Sequence, residues 1–79
     1  MKATVAVRPK PGILDPQGEA VRGSLQHLGF DVTETRVGRL VELELATTDA
    51  EAARLEVERM CEQLLANPLI ETFEIVIRP

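Results

Sequence analysis

The sequence has no tryptophan, no tyrosine and one cysteine, and its only aromatic rings are Phe30 and Phe73. Cys61 cannot form an intrachain disulfide by itself. With His27 the only histidine, no Cys/His cluster exists to hold zinc or an iron–sulfur centre. Two rings leave almost nothing to stack on a nucleotide base. A basic field is also missing, because 9 Lys+Arg stand against 13 Asp+Glu for a net charge of −4, which argues against nucleic acid as a partner. No apolar run approaches the roughly 18 residues of a membrane span. Met1–Lys10 has no continuous apolar core of about 7 residues to act as a signal peptide. The 79 residues allow one domain, 1–79, and a chain of this size buries only roughly 60% of its unfolded surface. With disulfide and metal excluded, association is the expected source of the missing stability. The composition describes a soluble cytoplasmic protein that works by binding.

What is present has clear periodicity. From Lys2 to Arg8, Ala3, Val5 and Val7 alternate with Thr4, Ala6 and Arg8, which predicts a half-buried strand ended by Pro9, Pro11 and Gly12. Asp15-Pro16 reads as an N-cap followed by proline at the first helical position, with Ile13 or Leu14 stapling back. Val21, Leu25 and Leu28 form one face of a helix over 16–28, flanked by small Ala20 and Ser24 that suit close approach to a sheet. Gly29 is its expected stop. Phe30–Val37 and Arg39–Ala46 read as two strands reversing at Gly38 in a tight hairpin. Thr48-Asp49-Ala50-Glu51 fits a capping box, and Ala50, Ala53, Val57, Met60, Cys61 and Leu64 then trace an amphipathic helix halted by Asn67-Pro68 with a left-handed asparagine. A last strand, Leu69–Arg78, carries Phe73, Ile75 and Ile77 on one face.

The order β-α-β-β-α-β with short links predicts an α+β, ferredoxin-like fold: a four-stranded antiparallel sheet with two helices on one face. The other face would show Thr4, Ala6, Leu40, Glu42, Glu44 and Val76, too apolar for plain solvated surface and too mixed for a core. A second copy is its expected cover. Few residues suggest chemistry. His27, on the helix flank, is expected in half-buried packing or an interface. Cys61 lies on an apolar stripe and behaves as a small hydrophobe. Glu51, Glu56, Glu58 and Glu62 interleave with Arg54 and Arg59 as a solvated face. No catalytic, cofactor or metal site is expected. Three loops stand out: Gly12–Gly18 at a helix start, the basic Arg36-Val37-Gly38-Arg39, and the stiff exit around Asn67-Pro68. A helix start with nearby cations can take an anion or a partner carboxylate.

At these residues the sequence resembles the PurS family, the small subunit of phosphoribosylformylglycinamidine synthase in purine biosynthesis. The matching stretches are Leu14-Asp15-Pro16-Gln17-Gly18, Leu28-Gly29, Arg36-Val37-Gly38-Arg39 with Glu42-Leu43-Glu44, and Leu65-Ala66-Asn67-Pro68-Leu69-Ile70-Glu71. They run nearly the whole chain in order. Where the family commonly has Gly-Lys this chain has Gly38-Arg39, and where Tyr is common in the last strand it has Phe73. The resemblance implies a subunit without a catalytic site of its own, required by an ATP-dependent, glutamine-using ligase. It implies a homodimer, or a tetramer built from it, joining a large synthetase subunit to a glutaminase subunit that releases ammonia. ATP and magnesium are expected on the large subunit and no cofactor on this chain. Asp15, Gln17, Gly18, Arg36, Gly38, Arg39, Asn67, Pro68 and Ile70 are the expected partner contacts. Two other classes share the topology. One is a dimeric amino-acid-sensing domain that uses Asp15 and the helix-start amides. The other is an acylphosphatase-like enzyme, ranked last because Pro9 and Pro11 remove amides its phosphate cradle would need.

Overall fold

Alternation of apolar and polar residues makes Lys2–Pro9 the first strand, β1, and the centre of the molecule. In the computed structural model, which describes residues 1–79, it is followed by α1 (Pro16–His27), β2 (Arg39–Glu44), α2 (Ala50–Met60), one π-helical turn (Cys61–Leu65) and β3 (Glu71–Arg78). The sheet order is β2-β1-β3 with both pairings antiparallel, and Val5 sits opposite Val41 on one side and Ile75 on the other. Ala3, Val5 and Val7 are buried on one face against Val57, Cys61 and Ala66, with Phe73, Ile75 and Ile77 packed around them. No helix is long and apolar enough to cross a membrane.

The second helix starts one residue later than the capping box predicts. Asp49 is the N-cap and accepts from the Glu51 amide at 3.1 Å, while the Thr47 hydroxyl accepts from the Asp49 amide at 3.2 Å. Ala53, Val57 and Cys61 form the buried stripe, but Ala50 and Leu64 stay exposed. The π turn explains Leu64: a wider turn carries the position three residues after Cys61 away from the sheet. The chain then leaves through an extended Ala66, not through a left-handed Asn67, and no residue other than glycine has positive φ. Gly12 (φ 82°) and Gly29 (φ 98°) do take the left-handed conformation that their turns need.

Two larger expectations are corrected. Phe30–Val37 is not a strand, so the sheet has three strands and Gly38 is not a hairpin tip. The segment instead runs back along α1, with the Phe30 amide donating to the Leu25 carbonyl at 3.0 Å and the Gln26 side chain donating to the Val32 carbonyl at 2.8 Å. Those groups are spent on the helix, and no sheet edge within the chain meets them. Nor does α1 join α2 over the sheet. Of its twelve residues only Gly18 is buried, and Ala20, Ser24 and His27 face solvent with Leu28. Leu14, proposed as a staple, is also exposed.

Residues 10–38 therefore form an arm, an excursion that leaves β1 and returns to β2 at one end of the sheet. Its effect on shape is measurable. The Cα radius of gyration is 15.7 Å, against about 12 Å for a compact chain of this length. The longest dimension is 48 Å, nearly twice the roughly 26 Å spanned by an eight-residue strand. Accessible surface is 5765 Å², where a compact monomer of this mass shows about 4,700 Å².

Candidate functional site

The three singled-out loops meet at the end of the sheet where β1 finishes and β2 and β3 begin or end nearby. The Lys10 amide donates to the Ile70 carbonyl at 2.8 Å, joining the first loop to the third. Arg36 donates through Nη1 to the Lys10 carbonyl at 3.0 Å and the Pro9 carbonyl at 3.4 Å, and through Nε to Glu34 at 3.3 Å, joining the second loop to the first. Arg39 links the second to the third: it forms a two-pronged ion pair with Glu71 at 2.7 and 3.0 Å and also donates to the Leu65 carbonyl. Proximity of these loops follows from the register, since Val7 faces Arg39 and Pro9 faces Glu71.

Asp15 holds the base of the arm. One carboxylate oxygen accepts from the Gly18 amide at 3.0 Å, the cap that the Asp-Pro pair predicts, and the other accepts from the Val37 amide at 3.0 Å. The two amides, with Arg36 adding a smaller attraction, hold the Asp15 carboxyl below its ordinary range. This arrangement removes the anion seat expected at the helix start, because the chain's own carboxylate already occupies it. Gly18 has no room for a side chain, as a Cβ there would meet Asp15 and lie 2.6 Å from the Thr35 carbonyl oxygen. The Thr35 hydroxyl beside it is buried without a hydrogen-bond partner.

Glu71 is the second anchor, and the candidate residues did not include it. Besides Arg39 it accepts from the Asn67 amide at 2.7 Å, and both contacts hold its carboxyl below the usual range, Arg39 foremost. Arg39 is correspondingly held further up by Glu71. The Asn67 side chain accepts from the Leu69 amide at 3.1 Å and its carbonyl accepts from the amides of Ile70 and Glu71, which shapes the turn carrying Pro68. One signal for Glu71 was legible: an acid immediately after an Asn-Pro turn and before an apolar strand.

The candidates thus divide by role. Asp15, Arg36 and Arg39 are engaged in bonds between loops, and Asn67 in bonds within its own turn. Gly18 and Gly38 are needed for space. Gln17, Pro68 and Ile70 are exposed, as is Leu69 at 82%. Beside them a shallow cleft of about 340 Å³ is lined by Arg8, Pro9, Arg36, Arg39 and Leu40 among others. Arginine beside exposed apolar side chains is the composition of a protein-docking patch. Cys61, by contrast, lies in the core, and burial with Glu58 and Glu62 nearby pushes its thiol up. A thiol reagent should modify it about a hundredfold more slowly in the folded chain than in urea. Equal rates in an alkylation time course would show an open site.

Comparison with known proteins bears on this surface. Residues 2–79 match the family model described as PurS: Phosphoribosylformylglycinamidine (FGAM) synthase. Phosphoribosylformylglycinamidine synthase subunit PurS from Synechocystis is 45% identical over 65 residues, 81% of this chain and 65% of that protein's length. The crystal structure of PurS from Methanocaldococcus jannaschii, described as one of the subunits of formylglycinamide ribonucleotide amidotransferase, superposes with a TM-score of 0.86 at 37% identity. It covers 98% of this chain and 94% of that one. A chain in the structure of PurLQS from Thermotoga maritima gives a TM-score of 0.86 at 32% identity, covering 95% and 93%.

Proposed function

The chain belongs to the PurS family of phosphoribosylformylglycinamidine synthase, and from that premise we propose that it is the small, non-catalytic subunit that joins the ATP-dependent synthetase subunit to the glutaminase subunit and supports passage of ammonia between them. The observation that carries the reading is the convergence of the three family-like loops on one sheet end, braced from within and presenting Gln17, Pro68, Leu69 and Ile70 outward. A surface held rigid by its own ion pairs loses little entropy on docking. The chain works in the cytoplasm, ATP and magnesium belong to the synthetase subunit, and the chain itself binds no cofactor. Two copies act together. In support, its surface exceeds that of a compact monomer by roughly 1,000 Å², more than the about 800 Å² each partner buries in a standard interface.

The test is reconstitution. Synthesis by the synthetase and glutaminase subunits is measured with glutamine or with ammonium as nitrogen donor, with and without this chain. Glutamine-dependent synthesis should fall to background when the chain is left out, while ammonium-dependent synthesis by the synthetase subunit persists. Equal glutamine-dependent rates with and without it would overturn the bridging role.

A further inference from the structure

We propose that the arginine cleft at the end of the sheet is a docking site for an acidic segment of a partner subunit, one carrying a carboxylate next to an apolar side chain. The proposal deepens the reading above and rests on it for the partner, while the chemistry of the occupant comes from the cleft itself.

The first observation is charge. Acidic residues outnumber basic ones thirteen to nine in this chain. Yet three of the nine, Arg8, Arg36 and Arg39, line one cleft of about 340 Å³, and no acidic residue lines it. Cations gathered against a net charge of −4 create a local field that draws in and orients an opposite charge. The second observation is the state of the guanidinium groups. Arg8 makes no hydrogen bond within the chain, and its one partner is Glu74 at 3.1 Å across exposed strand surface. Exposed pairs of this kind hold weakly and give way to a better placed acid. Arg36 is held through Nη1 and Nε, which leaves its Nη2 without a partner. Arg39 spends both terminal nitrogens on Glu71 and the Leu65 carbonyl, so it supplies charge on a braced wall. Arginine donors left open beside a fixed cation suit the planar, two-pronged contact that a carboxylate accepts.

The third observation is the floor of the cleft. Ala6 and Leu40 face each other across β1 and β2, Arg8 follows Ala6 on the same side of β1, and Leu40 is 61% exposed. Phosphate cradles are built from backbone amides, and this cleft offers few. Pro9 has none, and the Lys10 amide is spent on the Ile70 carbonyl at 2.8 Å. A bare anion would also leave Leu40 in water. A protein segment that lays an apolar side chain on Ala6 and Leu40 and an acid among the arginines satisfies both halves. The contact differs in chemistry from the apolar tip at Pro68, Leu69 and Ile70. The chain thus presents two unlike surfaces, which a subunit that joins two others needs.

The experiment has two arms. In the first, ¹⁵N-enriched chain is titrated with the peptide acetyl-Leu-Glu-Glu-amide and, separately, with inorganic phosphate at matched concentration and ionic strength. The peptide should shift the amides of Ala6, Arg8 and Leu40, and phosphate should not. No shift with the peptide, or equal shifts with phosphate, would overturn the proposal. In the second arm, Arg8→Glu is titrated into the synthetase and glutaminase subunits. Arg54→Glu, on the exposed side of α2, is the control with the same change of net charge. Arg8→Glu should raise the chain concentration for half-maximal glutamine-dependent synthesis about tenfold or more. Arg54→Glu should raise it less than about twofold, with particle mass and circular dichroism unchanged in both. A curve for Arg8→Glu that matches the parent, or equal losses in the two variants, would overturn the proposal. So would a smaller particle for Arg8→Glu, since the occupant would then be a second copy. A parent chain that supports no glutamine-dependent synthesis would sink the bridging reading, and the peptide arm, which needs no other subunit, still decides the cleft.

Discussion

Substituting alanine for Gly38 should lower the melting temperature by roughly 15 °C or more, one of the largest effects of any single methyl group in this protein. A Cβ at that position would run into the carbonyl oxygen of Val7 and lie 3.2 Å from its carbon and 3.4 Å from the Arg8 Cα. These are backbone atoms of β1, which is paired on both sides, so they cannot yield without breaking the register of Val7 with Arg39 and with Phe73. Forcing atoms into a filled space typically costs about 1–3 kcal/mol, and rigid surroundings place this site at the upper end. The same substitution at Gly23 supplies the control. Nothing lies within 4 Å of a Cβ built there, and alanine inside a helix is favoured over glycine by about 1 kcal/mol. Thermal melts at equal protomer concentration should therefore move in opposite directions for the two variants. A Gly38→Ala melt within 2–3 °C of the parent, roughly the scale of half a kcal/mol here, would show that β1 adjusts and that the close approach is not a constraint.

Gly38 also shows how far the sequence could be read. Between Val37 and Arg39, with strand-like stretches on either side, it has the local appearance of a hairpin turn. What requires glycine is contact with Val7, thirty-one residues earlier, and no local pattern displays that. Elements governed by neighbours in sequence were legible: the Asp15-Pro16 helix start, the left-handed Gly12 and Gly29, the alternation in β1, β2 and β3, and the Ala53–Val57–Cys61 stripe. The Phe30–Val37 segment misled because its threonines and valines carry real strand character while no edge within the chain receives it. Val21, Leu25 and Leu28 do recur along one side of α1, but Val21 and Leu28 are exposed there, because periodicity does not say whether the rest of the chain covers a face. For the candidate site, composition pointed to Arg36 and Arg39 and to the Asn67-Pro68 exit. Their partners could be assigned only once β1 was placed between β2 and β3.

The ion pair between Arg39 and Glu71 should make stability fall on mild acidification, and its removal should flatten that response. Arg39 and the Asn67 amide hold the Glu71 carboxyl below its ordinary value of 4.5, and the Val37 and Gly18 amides do the same for Asp15, ordinarily 3.8. In the unfolded chain both groups bind protons at higher pH than they do when folded. The stability they contribute is therefore fully present above those ordinary values and is lost as pH falls through the lower folded ones. Glu71→Gln removes the charge but keeps the shape. At pH 7 it should cost about 1–2 kcal/mol, a charged hydrogen-bond loss reduced because the Arg39 side chain is half exposed to solvent. As pH falls from above 4.5 through the lower folded value, the parent and the variant should converge, since protonated Glu71 no longer pairs with Arg39. Arg39→Lys should fall between them: it keeps the charge but cannot make the two-pronged contact and also reach the Leu65 carbonyl. Urea unfolding of the parent and both variants at a series of pH values measures this, and a Glu71→Gln deficit of the same size at pH 3.5 and pH 7 would show that the pair does not govern the acid response. Because the same pair ties β2 to the Asn67-Pro68 turn, the variant should also weaken docking of the outward-facing Leu69 and Ile70. Loss of their alignment would raise the glutaminase-subunit concentration needed for half-maximal glutamine-dependent synthesis while leaving ammonium-dependent synthesis unchanged.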